Sequence, residues 1–514
     1  MKSYFYNVLL LLLLSLLLLA CQRTKETQVV KPNIVVFFVD DMGWQDTSVP
    51  FWTEVTAWNR RYHTPNMEKL ASEGMKFTQA YAHAVCSPSR TSLLTGMNPA
   101  RHGVTNWTLR KDISTDHQDE ILEYPIWNLN GLQPVDSINN SVFATTLPSI
   151  LQDNGYHTIH VGKAHWGAMD TPGENPLNLG FDINIAGHAA GGLGSYLGEK
   201  NFGNAEPDTH TLPWGVPGLE KYHGDSIHLT EALTLEAIAA LEEAKQIDNP
   251  FFLYFSHYTV HIPLEADKRF YDKYQDLEEP EAKYASMVEG MDKSLGDIMV
   301  YLKENNLDEN TIIIFLSDNG GLSASARGGI PHQHNTPLNS GKGSAYEGGI
   351  RIPMLIKWPK IIEPGSIFGD YLIIEDLFPT LINMANIPIP KIIQTVDGEN
   401  LTPFIQGDAQ GQFRQKPLIW HYPNNWGPTG PGIGATSTIR DGDWKLVYWY
   451  KNGELELFNI PEDIGETNNI AAIHPEKVVE LTRKLGFYLR DVNAFRPKDK
   501  RSGELVVWPD EGQY

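Results

Sequence analysis

Residues 33–43, Asn-Ile-Val-Val-Phe-Phe-Val-Asp-Asp-Met-Gly, decide the architecture. From Asn33 to Val39 the run is continuously apolar, without the polar alternation of a half-exposed strand. Such a run is expected of a strand buried on both faces. It stops at two acids, Asp40 and Asp41. Two further runs, Phe251–Phe255 and Thr311–Leu316, have the same character, and the second is followed by Ser317-Asp318-Asn319-Gly320. The stretches 226–245 and 281–304 show helical periodicity. Thr64-Pro65 opens a helix that Gly74 stops, with Thr64 as its cap. Apolar strands alternating with amphipathic helices predict an α/β sheet covered by helices.

Beyond a polar stretch at 407–416 the pattern changes. Thr436–Arg440, Trp444–Tyr450 and Glu454–Phe458 are short runs separated by Asp441-Gly442-Asp443 and Asn452-Gly453. They predict antiparallel strands joined by tight turns, with a helix near Pro475–Leu489. The organisation expected is a large α/β domain, 33–410, and a smaller α+β subdomain, 411–514. Long loops rich in Gly, Trp and His span 44–62, 106–140 and 187–222. Loops at strand carboxyl ends are where an α/β protein builds a site.

The chain has 514 residues and a formal charge of −22. That charge argues against nucleic-acid binding, which needs a basic face. If the ligand is an anion, a local basic pocket must overcome an unfavourable overall field. At the N-terminus, Lys2 precedes an apolar run from Val8 to Ala20, the length of a signal h-region. The run ends in Leu18-Leu19-Ala20-Cys21, which resembles the lipobox of bacterial lipoproteins. That resemblance implies a signal peptide at 1–20, lipidated Cys21, a tether at 22–32, and anchoring to the cell envelope on the periplasmic or outer side. Contact with membrane would be through the lipid alone.

Of two cysteines, Cys21 is then consumed and Cys86 stands alone. A free thiol in an oxidising compartment calls for burial or special chemistry. Cys86 precedes Ser87-Pro88, which reads as a helix start, so it sits where a helix dipole stabilises negative charge. Arg90 lies one turn on. Carboxylates and an amide oxygen at two strand ends (Asp40, Asp41, Asp318, Asn319) suit a hard cation such as Ca²⁺ or Mg²⁺. Either pair alone reads first as a turn or cap, and it is two such strand ends in one sheet that let four side chains converge. Gly155–Gly167 reads as a strand ending in Lys163 and His165, which share a face. His261 follows another strand, and Lys342 lies on a Gly-rich loop. Cations and imidazoles near an oxygen cage form an inventory for holding a tetrahedral oxyanion.

Cys86-Ser87-Pro88-Ser89-Arg90 with Leu94-Thr95-Gly96 resembles the signature of the formylglycine-dependent sulfatases, of the alkaline-phosphatase-like superfamily. Gly155–Gly167 resembles that family's second signature. Asp40-Asp41, His261, Asp318-Asn319-Gly320, Gly341-Lys342-Gly343 and Arg440–Leu446 fall in the matching order. The resemblance implies a large mixed sheet flanked by helices. It also implies that a formylglycine-generating or anaerobic maturation enzyme oxidises Cys86 to formylglycine. The hydrated aldehyde would attack sulfur, and collapse of the resulting hemiacetal would expel sulfate. Carried over by position, one Ca²⁺ would be held by Asp40, Asp41, Asp318, Asn319 and residue 86. Arg90 would hold the nucleophile. Lys163, Lys342 and His261 would bind sulfate and the leaving oxygen, and His165 would take the diol proton. Which histidine is the general acid stays open, and His102 reads as structural. One departure stands out: the Arg-Gly-Gly run common before the loop lysine is here Leu338-Asn339-Ser340.

The expected substrate is a sulfated poly- or oligosaccharide, an algal polysaccharide such as ulvan or carrageenan or a glycosaminoglycan. Trp107, His188, His332, His334, Trp420, His421 and Trp426 lie on stretches expected to rim the pocket. The alternatives are a phosphate-ester hydrolase of the same superfamily and a non-catalytic lipoprotein that binds sulfated glycans.

Overall fold

A nine-stranded mixed sheet carries β1 (Asn33–Val39) at its centre. This is a computed structural model that describes residues 4, 31–204, 213–388 and 390–512. The signal, lipobox and most of the tether lie outside the described residues. In chain order the main elements are α1 (Pro65–Glu73), β2 (Met75–Tyr81), α2 (Cys86–Thr95), β3 (His157–Gly162) and α3 (Leu229–Ala244). There follow β4 (Phe251–Ser256), α4 (Glu279–Glu304), β5 (Thr311–Ser317), β6 (Arg351–Lys357) and α5 (Leu377–Met384). β1 runs parallel to β4 on one side and to β5 on the other, and β3 extends the parallel set beyond β4. β6 pairs antiparallel with both β5 and β2, which makes the sheet mixed.

The fully apolar strands are explained by their two covers. Val35, Phe37 and Val39 pack into a core with residues of α3 and α4, such as Leu233 and Met291. The alternate residues Ile34, Val36 and Phe38 pack with Leu93 of α2 and Phe378 of α5. Burying each such side chain contributes about 1.5–3 kcal/mol. The period-2 geometry of the strand divides one apolar run between two helical layers.

One local expectation is corrected, and two strands appear that were not anticipated. Thr64 does not cap α1: its hydroxyl bonds Thr47 Oγ1 at 2.9 Å. The free N–H groups of Asn66 and Met67 instead donate to Asp292 of α4, at 3.1 and 2.8 Å. β6 is unanticipated, and it carries Pro353, a residue disfavoured inside a sheet. The proline sits where the register with β2 shifts, between Ile352 and Met354, so no ladder bond is needed from it. β7 (Leu418–Tyr422) is likewise unanticipated. It joins β8 (Thr436–Asp441), β9 (Trp444–Trp449) and β10 (Leu455–Asn459) in a separate four-stranded antiparallel sheet. The helix α6 (Pro475–Asp491) lays Val478, Leu481, Leu485 and Leu489 on Ile439, Leu446 and Leu457 of that sheet. Their spacing is the stripe of an amphipathic helix.

Candidate active site

The parallel register aligns Val39 of β1 with Ser317 of β5. Asp40 and Asp318 therefore leave the sheet side by side, and Asp41 and Asn319 follow. All four side chains are fully buried. Asp41 holds φ at +60°, a left-handed conformation strained for a residue with a Cβ. Its backbone N–H donates to Asp318 Oδ1 at 3.2 Å. Ligand atoms of Asp40, Asp41, Asp318 and Cys86 all lie within 4.8 Å of one another.

Cys86 opens α2, and its Sγ sits 3.6 Å from Asp40 Oδ1 and 3.4 Å from Lys342 Nζ. Burial, with the charge of Asp318 adding to it, pushes this thiol up to about 12, so it stays protonated at neutral pH. Arg90, one turn along the helix, spreads its fork over three partners. Nε and Nη2 meet Asp318 Oδ2 at 2.9 and 2.8 Å, and Nη1 donates to Ser256 Oγ at 2.7 Å and the Lys163 carbonyl at 3.1 Å. Lys163 Nζ lies 2.6 Å from Asp40 Oδ2, and Lys342 Nζ 2.7 Å from Asp41 Oδ1.

Burial and the neighbouring Asp318 hold Asp40 well above the usual carboxylate range. Burial acts the same way on Asp41 and Asp318, but Lys342 and His261 overcome it at Asp41, and Arg90 and Lys163 at Asp318, leaving both lowered. Three carboxylates packed together repel one another, and a cation between them relieves this. The donors present fit a divalent hard cation. They are carboxylate oxygens plus Asn319 Oδ1, which is buried and has no hydrogen-bond partner. Three cations balance the three acids, so an added divalent ion would make the cluster net positive. That is how a chain of charge −22 can draw in an anion.

His165 also has φ near +60°. Its Nε2 lies 2.9 Å from the Thr108 carbonyl, so that nitrogen carries the proton and Nδ1, without a partner, is the acceptor. A Cβ on residue 191 would fall 2.1 Å from this ring, so Gly191 is what leaves it room. His261 Nδ1 lies 2.7 Å from the Ile262 carbonyl, and Nε2 lies 3.8 Å from Asp41 Oδ2. Burial, with Lys342 beside it, brings His261 down to about 3.

These groups floor a cavity of about 190 Å³, whose walls are Val85, Trp107, Trp214, Ile262, Leu322 and Trp426, with Gly191 and Gly192. Cys86, His165, His261, Lys342, Trp107 and Trp426 are thus brought together as expected, and Arg90 and Lys163 lie directly beneath. Several expected rim residues are not there. His421 is buried in β7, with Nδ1 at Ser437 Oγ and Nε2 at the Phe495 carbonyl, both 2.7 Å. Trp420 is buried and donates to the Ala82 carbonyl. Alternation of β7 explains neither; both of its faces are covered. His334 is bonded to Ser323 and the Gly328 carbonyl. His332 packs against Gly430. His188 contributes its carbonyl, which accepts from the His165 N–H at 3.2 Å, while its ring lies beside Tyr258. His102 is structural, accepting from Val104 N and meeting Ser92 Oγ. Sequence reasoning missed Ser256, which anchors Arg90. It also missed Ser87, whose hydroxyl accepts from Thr108 N and donates to the His165 carbonyl. Their small hydroxyls carry no signal until three segments meet.

The family described as Sulfatase matches residues 32–387. The chain belongs to the sulfatase family. A second family, described as N-sulphoglucosamine sulphohydrolase, C-terminal, matches 341–494. A protein named sulfatase from Formosa agariphila is 28% identical, over 95% of this chain and 93% of its own length. The N-acetylgalactosamine-6-sulfatase of Homo sapiens is 30% identical, over 88% of this chain and 78% of its own. The crystal structure of Ps i-CgsB in complex with k-i-k-neocarrahexaose superposes with a TM-score of 0.69 at 27% identity, covering 90% of this chain and 93% of that one. This sulfatase is an enzyme of sulfate-ester hydrolysis, and its buried Asp/Cys cluster is where a metal could sit.

Proposed function

We propose that this sulfatase hydrolyses a sulfate monoester on a sulfated carbohydrate, with residue 86, matured from cysteine to formylglycine, as its nucleophile. The observation that carries the reading is the place of Cys86. It stands at the start of α2, against three buried carboxylates and Lys342, at the floor of an open-mouthed cavity. A thiol held protonated is a poor nucleophile, so the position makes chemical sense once converted. The aldehyde, as its hydrate, supplies the attacking hydroxyl. Asp40, Asp41, Asp318 and Asn319 would hold a divalent cation, Ca²⁺ in first place and Mg²⁺ in second, which would supply charge stabilisation.

The chain's own residues do the rest. Arg90 fixes Asp318 and the end of β4 against the helix that presents residue 86. Lys342, at the cavity floor, and Lys163, beneath it, offer ammonium groups to the sulfate oxygens. His261, carrying protons on both nitrogens once the anionic substrate sits beside it, keeps Nδ1–H on the Ile262 carbonyl and gives its Nε2 proton to the leaving oxygen. His165, with Nδ1 free, accepts the proton of the residue-86 hydroxyl as sulfate departs. The carbohydrate assignment is supported by the human relative named for N-acetylgalactosamine-6-sulfate and by the carrageenan oligosaccharide bound to Ps i-CgsB. The reading extends to export and a lipid at Cys21, which would place the enzyme where large glycans are met.

The test is mass spectrometry of the tryptic peptide Phe77–Arg90 from protein co-expressed with a maturation enzyme, together with sulfate release. A lighter, alkylation-resistant residue 86 and sulfate release that scales with its occupancy are expected. An alkylatable Cys86 in fully active protein would sink the nucleophile assignment.

A further inference from the structure

The cavity divides chemically at its floor. Every ionisable group that lines it among the described residues (Asp41, Cys86, His165, His261, Lys342) belongs to the sulfate-binding end. Above that level the wall is indole and aliphatic. Lys342 is the lining cation, and it is already engaged with Asp41 and 3.4 Å from residue 86. Arg90 and Lys163 are fully buried beneath, held on Asp318 and Asp40, and have no free edge toward the wall.

The indoles are set there by backbone choices. A Cβ on residue 343 would run into Trp426 at 2.2 Å, and Gly343 has φ +84°, so a glycine is needed for that ring to lie over the lysine loop. A Cβ on residue 192 would come within 3.5 Å of Trp214 and 3.2 Å of His261. Trp214 and Ile262 remain 38% and 44% exposed at the mouth, surface that core packing does not account for. The cavity, at about 190 Å³, is below the roughly 300–1,000 Å³ of sites that enclose a drug-sized ligand. It has room for one ring.

Building on the sulfatase reading, we infer that the pocket takes one neutral sugar ring bearing a single sulfate, stacked against indole faces, and discriminates against a ring with a second anionic group. A sugar presents an apolar C–H face that an indole covers without charge. A uronate carboxylate or an N-sulfate on the same ring would be desolvated against Trp, Ile or Leu, with no cation among the described lining residues to pair with it. The field of a chain of charge −22 adds to that penalty.

The experiment uses the matured full chain, with formylglycine content measured, and compares kcat/KM within matched pairs. N-acetylglucosamine 6-sulfate is set against N-sulfoglucosamine 6-sulfate, and N-acetylgalactosamine and galactose monosulfates at each hydroxyl against the corresponding disulfates. An aryl sulfate reports basal activity. The neutral, singly sulfated member of whichever pair reacts is expected to lead by roughly 10-fold or more, since an unpaired like charge in an interface costs that much. Ile262→Lys, at an exposed mouth position, should narrow that ratio at least fivefold by supplying the missing cation (a fraction of the roughly tenfold effect above). Equal or better turnover of the doubly anionic member overturns the inference. So does hydrolysis of the aryl sulfate with no sugar accepted, which leaves the sulfatase reading standing. Matured protein inert toward the aryl sulfate and every sugar overturns both.

Discussion

Arg90→Lys keeps the charge at the heart of the site and removes its shape. The guanidinium makes four close contacts, two to Asp318 Oδ2, one to Ser256 Oγ and one to the Lys163 carbonyl. It also stacks 4.8 Å from the Phe38 ring centre. A lysine ammonium at the end of an unbranched stem can reach Asp318 or Ser256 but cannot span both with the Lys163 carbonyl, so at least two contacts are lost. Hydrogen bonds to charged groups contribute about 1.5–3 kcal/mol each. Some of that returns because the charge remains and the site relaxes, leaving a net loss of about 3 kcal/mol. If it appears as misplacement of residue 86 and the metal-binding carboxylates, kcat/KM falls by about 10²-fold, at about 1.4 kcal/mol per decade. The assay is sulfate release from an aryl sulfate, corrected for formylglycine content by mass spectrometry, with thermal unfolding by circular dichroism in parallel. A melting point within a few degrees of wild type would show that the fold survives. Arg90→Lys that matures fully and keeps kcat/KM within about twofold would refute the argument that the fork, and not the charge, positions the site.

Chelation should abolish turnover, with Ca²⁺ restoring it, and Ca²⁺ at about 100 times its Kd should stabilise the native state by about 2.7 kcal/mol in a thermal melt, because the unfolded chain has no such cage; an unmoved melt would remove the metal from the cluster. Burial, with the charge of Glu347 adding, pushes Glu466 up to about 7 even though Lys445 lies 2.8 Å away, since Lys445 is shared with Glu347 at 3.1 Å. A raised carboxyl contributes stability that is complete below its unfolded value near 4.3 and lost as pH rises through 7, an effect on the order of 1–3 kcal/mol. Glu466→Gln should therefore flatten the fall in melting temperature between pH 5 and pH 7, and a slope equal to wild type counts against this. Cys21→Ser should move the protein from the membrane fraction to the soluble one when expressed with its signal; continued sedimentation with membranes would rule out the lipid anchor.

How much of the site was readable depended on whether its signal was local. Cys86 to Arg90 announces itself because a helix start, a thiol and an arginine fall within one turn. Lys163 and His165 follow a short strand and alternate onto one of its faces. His421 and Trp420 misled because polar and aromatic side chains on a short strand look like a pocket rim. Only the neighbours that cover β7, among them Phe495 and Ala82, turn them into interior residues. Trp214 lay in a loop marked as a site builder without being picked out, and Leu322 gave no warning, since an isolated apolar residue in a loop has no period to mark it. The strand that carries Pro353 was not legible either, and a bulge accommodates the proline.

By itself, then, the sequence determined the strands that must be buried on both faces, the acids that end them, and the cysteine at a helix start. These follow from residue type and short-range periodicity. The tertiary structure alone decided that β5 lies directly beside β1 with Ser317 level with Val39. It also decided that Ser256 comes under Arg90 and that the wall above Lys342 is indole, with no second cation among the described residues. Those are pairings between segments up to 301 residues apart, as Lys342 and Asp41 are. Which segments meet is set by packing and register across the whole sheet, and no stretch of chain read alone contains that information.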